Sequence, residues 1–269
     1  MENKINSKLK NKIDSLLSFI KNLGLTDYEQ QVIYNEIYSN FNLEQMNSDA
    51  FRQNYTLSFE QEQEFNSFIT YLYEKYNIYG IDYFRDAIKY AFTYKDDNSN
   101  FLDQFIKFVL ITNFDDLKID IKEEDELIHM YVRLGGLPVS HCRSMQYNRE
   151  QQQLECEWFH NRKGLTRTKL GSYLIVNLLK MVKENMPGVS IISYNVRKKN
   201  IVGLNFYNKF GFEIIDYNPD GTNYMVRIPT DKIDECILKN DNQYPTLLFD
   251  GKNIDYMTYK KELNSKKSL

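Results

Sequence analysis

The sequence predicts a mixed α/β (α+β) fold, in which an all-helical N-terminal region precedes a mixed sheet flanked by helices. Two observations predict it. Apolar residues recur at helical spacing through most of the first 111 residues, and from Asp115 onwards the segments become short, β-rich and bounded by turns. These later segments follow the order β-β-β-β-α-β-α-β-β, which is typical of a sheet with helices packed against it.

The N-terminal region, residues 1–114, carries several helix signals. Apolar residues recur between Ile5 and Ile20, and Ser58 with Gln61 forms a capping-box pattern that marks a helix start. Periodic apolar stretches follow at 82–94 and 100–111. We therefore predict helices throughout this region.

The second region, residues 115–229, carries two hairpin signals, a polar turn around residues 148–150 and the turn Asn218-Pro219-Asp220-Gly221. Only a few residues separate the first two strand segments, "LKIDI" and "ELIHMY", which leaves no room for helices between them. From Thr230 to residue 269 the sequence is polar, and it predicts one short helix near 256–263.

Composition excludes several classes of partner. The net charge is −3 and the pI about 5.8, which argues against nucleic acid or an anionic membrane as a partner. No apolar run approaches the roughly 18 residues of a membrane span, and the charged N-terminus does not resemble a signal peptide. Three cysteines are too few for a disulfide framework. We expect a soluble, cytoplasmic protein.

The loop at residues 161–171 and the residues that follow the next predicted strand, at 197–199, are strongly basic. A helix N-terminus offers unpaired N–H groups and the positive end of a dipole, so a multi-phosphate ligand would suit a helix that begins among cations. If the two strand ends lie side by side, seven cations converge there; the alternative is ordinary solvated loop charge. The cations are Arg162, Lys163, Arg167, Lys169, Arg197, Lys198 and Lys199.

The pattern Asn200-x-x-Gly203-x-x-Phe206-Tyr207-x-Lys209-x-Gly211-Phe212 resembles the C-terminal signature of the GNAT superfamily of N-acetyltransferases. The strand, loop and helix upstream resemble the acetyl-CoA motif of that family, whose loop reads [Gln/Arg]-x-x-Gly-x-[Gly/Ala]. Here the loop aligns as Thr166-Arg167-Thr168-Lys169-Leu170-Gly171, and the resemblance spans about residues 116–229.

The loop departs from the family pattern at two positions. Thr166 replaces Gln/Arg, and Lys169 replaces the middle glycine, although a lysine with negative φ still offers its N–H. A second register, Asn161-x-x-Gly164-x-Thr166, restores a middle glycine but breaks the apolar pattern of the following helix, so we favour the first.

The resemblance implies a mostly antiparallel GNAT-like sheet and direct transfer of acetyl from acetyl-CoA to a primary amine, without a metal. The acceptor would be a small molecule or a protein, and a homodimer is left open. The central strands, Gln153–His160 and Val189–Val196, would splay apart to hold the pantetheine arm. The implied cofactor-binding residues are Thr166, Arg167, Thr168, Lys169, Leu170, Gly171, Ser172, Asn200 and Phe206.

Tyr207 lies where the family often carries its general acid; the alternative is a tyrosine packed in the core. Asn200 is predicted to cap the helix that contains Tyr207. For the general base, strand alternation puts Glu155 and Glu157 on one face, where each carboxylate would raise the pKa of the other. The alternative for this pair is a solvated sheet face.

A zinc site is a disfavoured interpretation of four histidines and cysteines. His141, Cys142, Cys156 and His160 lie on two segments that are predicted to pair. His141 and Cys142 are neighbours on a strand and point to opposite faces, so they cannot easily reach one ion. A second function also stays open: a non-catalytic GNAT-derived module that binds a protein partner, with weakened or lost CoA binding.

Overall fold

The computed structural model describes residues 59–94, 101–156, 158–162, 164–218, 220–241, 243–249 and 252–255, together with single residues and short runs within 18–31 and 259–265. The helix predicted between Ile5 and Ile20 lies almost entirely outside the described residues, as do Glu157 and Lys163.

Two long helices lie in the described part of the N-terminal region, and further helical residues are described within 18–31. Helix α1 spans Phe59–Tyr94 and is interrupted at Gly80, whose φ of 75° is not helical, and helix α2 spans Phe101–Thr112. They confirm the helical stretches predicted at 82–94 and 100–111. A single 3₁₀ turn, Phe114–Asp116, then leads into the first strand.

Between residues 118 and 228 the chain confirms the predicted order of strands and helices, with β4 and β5 in the place of the fourth predicted strand. The elements are β1 Lys118–Glu124, β2 Leu127–Leu134, β3 Leu137–Asn148, β4 Gln153–Cys156, β5 Trp158–Asn161, α3 Leu170–Asn185, β6 Ser190–Arg197, α4 Ile201–Lys209, β7 Glu213–Tyr217, β8 Asn223–Ile228, α5 Thr230–Asn240, β9 Thr246–Phe249 and β10 Lys252–Asp255.

The main sheet is mixed and mostly antiparallel. Its strands lie in the order β1-β2-β3-β4-β6-β8-β7, with β5 also paired to β3. Every pair is antiparallel except β4 with β6. Both predicted hairpins form, β3–β4 and β7–β8, and only Asp125 and Glu126 join β1 to β2, so no helix lies between those two strands.

Strands β4 and β5 are two parts of one predicted strand, separated at residue 157. Strand β3 pairs with β4 through Gln146–Asn148 and with β5 through Ser140–Arg143. Between these stretches Ser144 has a φ of 53°, an uncommon left-handed conformation for a non-glycine residue. The register of β3 is the same with β4 and with β5.

Helix α3 packs against β2, β3 and β5, and its predicted apolar face is confirmed. The residues of that face, all buried, are Leu170, Leu174, Ile175, Leu178 and Val182. Helix α5 packs on α3, joined to it by ion pairs between Lys183 and Asp234 (2.7 Å) and between Lys180 and Asp241 (2.9 Å).

The elements after residue 229 were mostly missed. The sequence predicted a helix near 256–263, where the structure describes Tyr259, Lys261 and Glu262 as helical. It did not predict α5 or the β9–β10 hairpin. The described buried side chains of α5 are Ile233, Cys236 and Asn240, too few and too polar to produce a strong apolar pattern.

Polar contacts join the helical region to the sheet. Lys75 of α1 pairs with Asp116 at 2.5 Å, and the Tyr71 hydroxyl donates to the same carboxylate at 2.8 Å. Arg133 of β2 donates to Glu64 of α1 at 2.7 Å and to Asp120 of β1 at 2.8 Å. A partly buried carboxylate with two donors is stabilised in its charged form, so α1 is held against the start of the sheet.

The turn between β2 and β3 explains why glycine stands at position 135. Gly135 has a φ of 55°, and a Cβ there would overlap the Cβ and Cγ of Tyr71 on α1. Gly188 also has a positive φ, 87°, but nothing lies within 4 Å of the position of its Cβ. A Cβ at either position would be strained by the positive φ, but only at position 135 would it also overlap another side chain.

We expect Gly135→Ala to lower the free energy of unfolding by about 2–5 kcal/mol, because it adds overpacking to left-handed strain. Gly188→Ala, the matched control, should lower it by only about 1–2 kcal/mol. Urea unfolding of both variants measures the difference, and equal losses would contradict the close contact with Tyr71.

Candidate functional site

The central feature of the sheet is an opening between β5 and β6. Strand β4 pairs with β6 in parallel only from Gln153 opposite Ser190 to Cys156 opposite Ser193. Beyond that point β5 pairs with β3 and β6 pairs with β8. In the described part of the chain no strand occupies the edges of β5 and β6 that face each other, so their backbone groups are available to a ligand.

Two helices begin at the end of the sheet where the strands diverge. Because β4 and β6 are parallel, the loops after β5 and β6 leave the sheet at the same end. The first leads to the N-terminus of α3 at Leu170, as the favoured loop register requires, and the second leads to α4 at Ile201. Their N-terminal N–H groups suit an anionic ligand at this end.

The loop before α3 alternates exposed and buried residues. Thr166, Arg167 and Lys169 are exposed, whereas Thr168 is buried and its hydroxyl donates to the Leu165 carbonyl oxygen at 2.7 Å. Thr168 therefore holds the turn together, and the side chains of the other three are the ones that a ligand could reach.

Lys169 has a φ of 63°, so the negative φ that would suit a lysine at this position is not present. Arg167 has a φ of 62° as well. The left-handed conformation is one that glycine adopts without steric strain, and a residue with a Cβ is destabilised in it by about 1–2 kcal/mol. The turn thus keeps the conformation of a glycine loop although lysine occupies the position.

The first turn of α3 packs closely against α4. A Cβ on Gly171 would lie 3.1 Å from Cζ of Phe206, which explains the glycine at this position. Leu170 and Ser172 are buried, so these residues can offer mainly backbone groups to a ligand. Phe206 lies beside the helix N-terminus, where the sequence placed it, with its ring against the helix itself.

Asn200 caps α4, and this prediction is confirmed. Its Oδ1 accepts a hydrogen bond from the Gly203 N–H at 2.9 Å. The cap fixes the start of the helix that carries Tyr207.

Tyr207 lies between the two diverging strands. Its ring makes edge contacts with Phe159 of β5 at 5.8 Å and with Phe212 at 5.2 Å, and its hydroxyl lies near the side chain of Ser193 on β6. Only 9% of the residue is exposed. The ring is therefore packed in the core, while the hydroxyl lies beside the last residue of β6 that pairs with β4.

Burial is the main cause that raises the pKa of Tyr207 well above its usual value, and the nearby Ser193 side chain partly offsets it. The phenol therefore stays protonated across the neutral range and can act as a hydrogen-bond donor. Its proton would pass most readily to a sulfur in the same dry environment, because burial raises the pKa of a thiol too.

Glu155 is half-buried on β4, and its neighbours Leu154 and Cys156 are fully buried. The carboxylate therefore lies on the face of the sheet opposite to those side chains. Glu157 is outside the described residues. The roles of both residues stay predictions.

Two of the seven cations that the sequence singled out contact side chains of the protein. Arg162 lies 3.7 Å from Asp103 of α2, and Lys198 lies over the rings of Tyr217 and Tyr224 at 4.8 and 5.0 Å. These two cations are engaged by side chains of the protein.

The histidines and cysteines separate onto the two faces of the sheet. Cys142 and Cys156 are both buried, and burial together with the neighbouring Cys156 raises the pKa of the Cys142 thiol. His141 and His160 form a cross-strand pair with ring centroids 5.2 Å apart. Burial, aided by Arg143 and His160, lowers the pKa of His141 to about 4, so its imidazole is neutral at pH 7.

No group of three or more metal ligands occurs among the described residues. In the same part of the chain, no helix is long and apolar enough to span a membrane. The sequence placed His141 and His160 on segments predicted to pair, and the structure shows their cross-strand contact.

The strand order, the opening between β5 and β6 and the two helix N-termini beside it define a domain built on a mixed, mostly antiparallel sheet. No protein-family model matches the chain, and no curated protein matches it. Solved structures with similar folds include several acetyltransferases.

Naa50 of Arabidopsis thaliana in complex with a bisubstrate CoA analogue is 20% identical, with a TM-score of 0.32 over 37% of this chain and 71% of that one. PaiA N-acetyltransferase of Thermoplasma acidophilum in complex with coenzyme A is 16% identical, with a TM-score of 0.33 over 55% and 89%. A GNAT-family acetyltransferase of Staphylococcus aureus is 12% identical, with a TM-score of 0.34 over 55% and 94%.

The resemblance to GNAT acetyltransferases that the sequence predicted is thus also found among solved structures. At these identities and TM-scores the similarity is no evidence for the activity, substrate or partners of this chain.

The left-handed conformation of Lys169 gives a direct test of the loop. We expect Lys169→Gly to raise the free energy of unfolding by about 1 kcal/mol relative to Lys169→Ala, because alanine keeps the strain of the Cβ. Both variants remove the same charge. The difference between their free energies of unfolding, measured by chemical denaturation, therefore reflects the backbone conformation at position 169. A Lys169→Ala variant as stable as Lys169→Gly would contradict the positive φ.

Proposed function

We propose that this chain is an N-acetyltransferase that moves the acetyl group of acetyl-CoA to a primary amine by direct attack. The observation that carries the proposal is the opening between β5 and β6, with unpaired strand edges on both sides and Tyr207 between them. An extended ligand with amide groups fits such an edge, because it can complete the hydrogen bonds that a neighbouring strand would make.

The pantetheine arm supplies that extended ligand, and the pyrophosphate of CoA supplies the anion. In the proposal, the arm lies along the opening and the pyrophosphate lies at the N-terminus of α3, with the backbone of residues 166–172 around it. Two of the solved structures with similar folds hold coenzyme A or a CoA analogue.

The reaction requires a neutral amine, a donor to the developing oxyanion and a proton for the departing thiolate. The amine nitrogen attacks the thioester carbonyl, and backbone N–H groups of the free edge of β5 would stabilise the negative oxygen. The C–S bond then breaks, and the phenol of Tyr207 protonates the thiolate.

In the proposal, the general base is a carboxylate of Glu155 or Glu157. Glu155 is a candidate because it is half-buried and lies on the face opposite to its buried neighbours Leu154 and Cys156, and Glu157 is the second candidate from the sequence. A carboxylate there could accept the amine proton directly or through water. The acceptor, a small molecule or a protein, and a homodimer also stay at the level of proposal.

Tyr207→Phe tests the acid role. We expect acetyl transfer to fall about 10²-fold or more while the affinity for CoA stays nearly unchanged, because the ring packing remains and only the proton donor is lost. Since the pKa of Tyr207 is raised by burial, the phenol should cause no loss of activity between about pH 6 and pH 9 in the unmodified protein.

Tyr217→Phe is the matched control, because Tyr217 is 62% exposed on β7 and loses only a hydroxyl. Steady-state rates and thermal melting of both variants separate catalysis from folding. Unchanged turnover in a folded Tyr207→Phe variant would remove Tyr207 from the acid role.

The second candidate function is the non-catalytic module that binds a protein partner. Two observations favour it: the ring of Phe206 packs against Gly171 at the helix N-terminus, and Tyr207 is 9% exposed. Both leave less room for a cofactor than an open cleft would.

A thermal-shift titration separates the two functions. For the enzyme we expect CoA and acetyl-CoA to raise the melting temperature, since a ligand at 100 times its dissociation constant adds about 2.7 kcal/mol to the stability. Adenosine at the same concentration is the control. Absence of any shift at millimolar CoA would favour the non-catalytic module.

A further inference from the structure

A group of three lysines, which we call the lysine cluster, lies next to the N-terminus of α3. It consists of Lys169 at the start of α3, Lys209 at the end of α4 and Lys239 near the end of α5. The Nζ atoms of Lys169 and Lys209 both donate to Oε1 of Gln243, at 3.4 and 3.0 Å. The Nε2 of Gln243 donates in turn to the Lys239 carbonyl oxygen at 3.4 Å.

The members of the lysine cluster repel one another. The pKa of Lys209 is lowered by partial burial and by the charges of Lys169 and Lys239. Among the described residues no carboxylate forms an ion pair with any of the three, whereas Lys180 and Lys183 on α3 each have one. Like charges without a counter-ion destabilise a fold, so their approach needs another explanation.

A bound anion supplies that explanation. All three lysines are exposed and can reach a ligand from different elements. Because Lys169 is the residue before α3, the cluster borders the place proposed for the pyrophosphate. In CoA, the ribose bonded to the pyrophosphate carries a further phosphate at its 3′ position, so that phosphate must lie within one sugar of the helix N-terminus.

We propose that Lys209 and Lys239, with Gln243 holding the cluster together, bind the 3′-phosphate of the CoA nucleotide and thereby select CoA over its 3′-dephospho form. This inference rests on the proposed function. It also makes α5 and Gln243 part of the cofactor site, although the sequence placed everything after residue 229 outside the acyl-CoA-binding domain.

The test compares two ligands on the full-length chain. Calorimetry should show that the unmodified protein binds CoA about tenfold more tightly than 3′-dephospho-CoA, since each exposed lysine–phosphate pair contributes a few-fold in affinity. The double variant Lys209→Gln/Lys239→Gln should bind both ligands equally, with its affinity for 3′-dephospho-CoA unchanged within about twofold.

Lys118→Gln is the charge control, because Lys118 is exposed on β1 and lies outside the cluster. It should leave the ratio of the two affinities unchanged. Without ligand, the melting temperature of the double variant should be no lower than that of the unmodified protein, because the variant removes the repulsion between the three lysines.

The outcomes separate the inference from the proposed function. If the unmodified protein binds both ligands equally and still transfers acetyl groups, the inference is overturned and the proposed function stands. A double variant that keeps the tenfold preference for CoA likewise overturns the inference alone. If neither ligand binds at millimolar concentration, both are overturned.

Discussion

The short parallel pairing between β4 and β6 is the constraint on which the rest of the site depends. It joins two antiparallel halves of the sheet through four residues on each strand and then stops at Cys156 and Ser193. Beyond that point the facing edges of β5 and β6 have no strand partner in the described part of the chain. Because parallel strands end at the same side, the loops and helix N-termini of α3 and α4 gather at the opening.

The elements around this opening are fixed by contacts within the protein. Asn200 caps α4, the ring of Phe206 fits over Gly171, and Tyr207 touches one residue on each diverging strand. A rigid surround favours catalysis by position, because groups held in place need not be ordered when the substrate arrives. The same packing limits the space beside the N-termini of α3 and α4 that a cofactor could occupy.

Local features of the fold and site could be predicted from the sequence, and long-range ones could not. The cap at Asn200, the apolar face of α3 and the two hairpins each depend on residues close together in the chain, where spacing carries the information. The contact of Lys169 with Gln243 joins residues 74 positions apart, and no periodicity encodes it. The left-handed φ of Lys169 was missed because residue type favours the opposite sign, and the tight turn before α3 overrides that preference.

The contacts between α3 and α5 have a consequence for the end of the chain. Two ion pairs and the amide of Gln243 connect α5 to the helix whose first turn faces the opening. Coupling of this kind is reciprocal. A ligand that binds the N-terminus of α3 more tightly when α5 is docked must stabilise the docked position of α5 by the same free energy. Ligand binding at the opening would then stabilise the docked C-terminal segment. The protection of this segment from proteases would increase as more of the protein binds ligand.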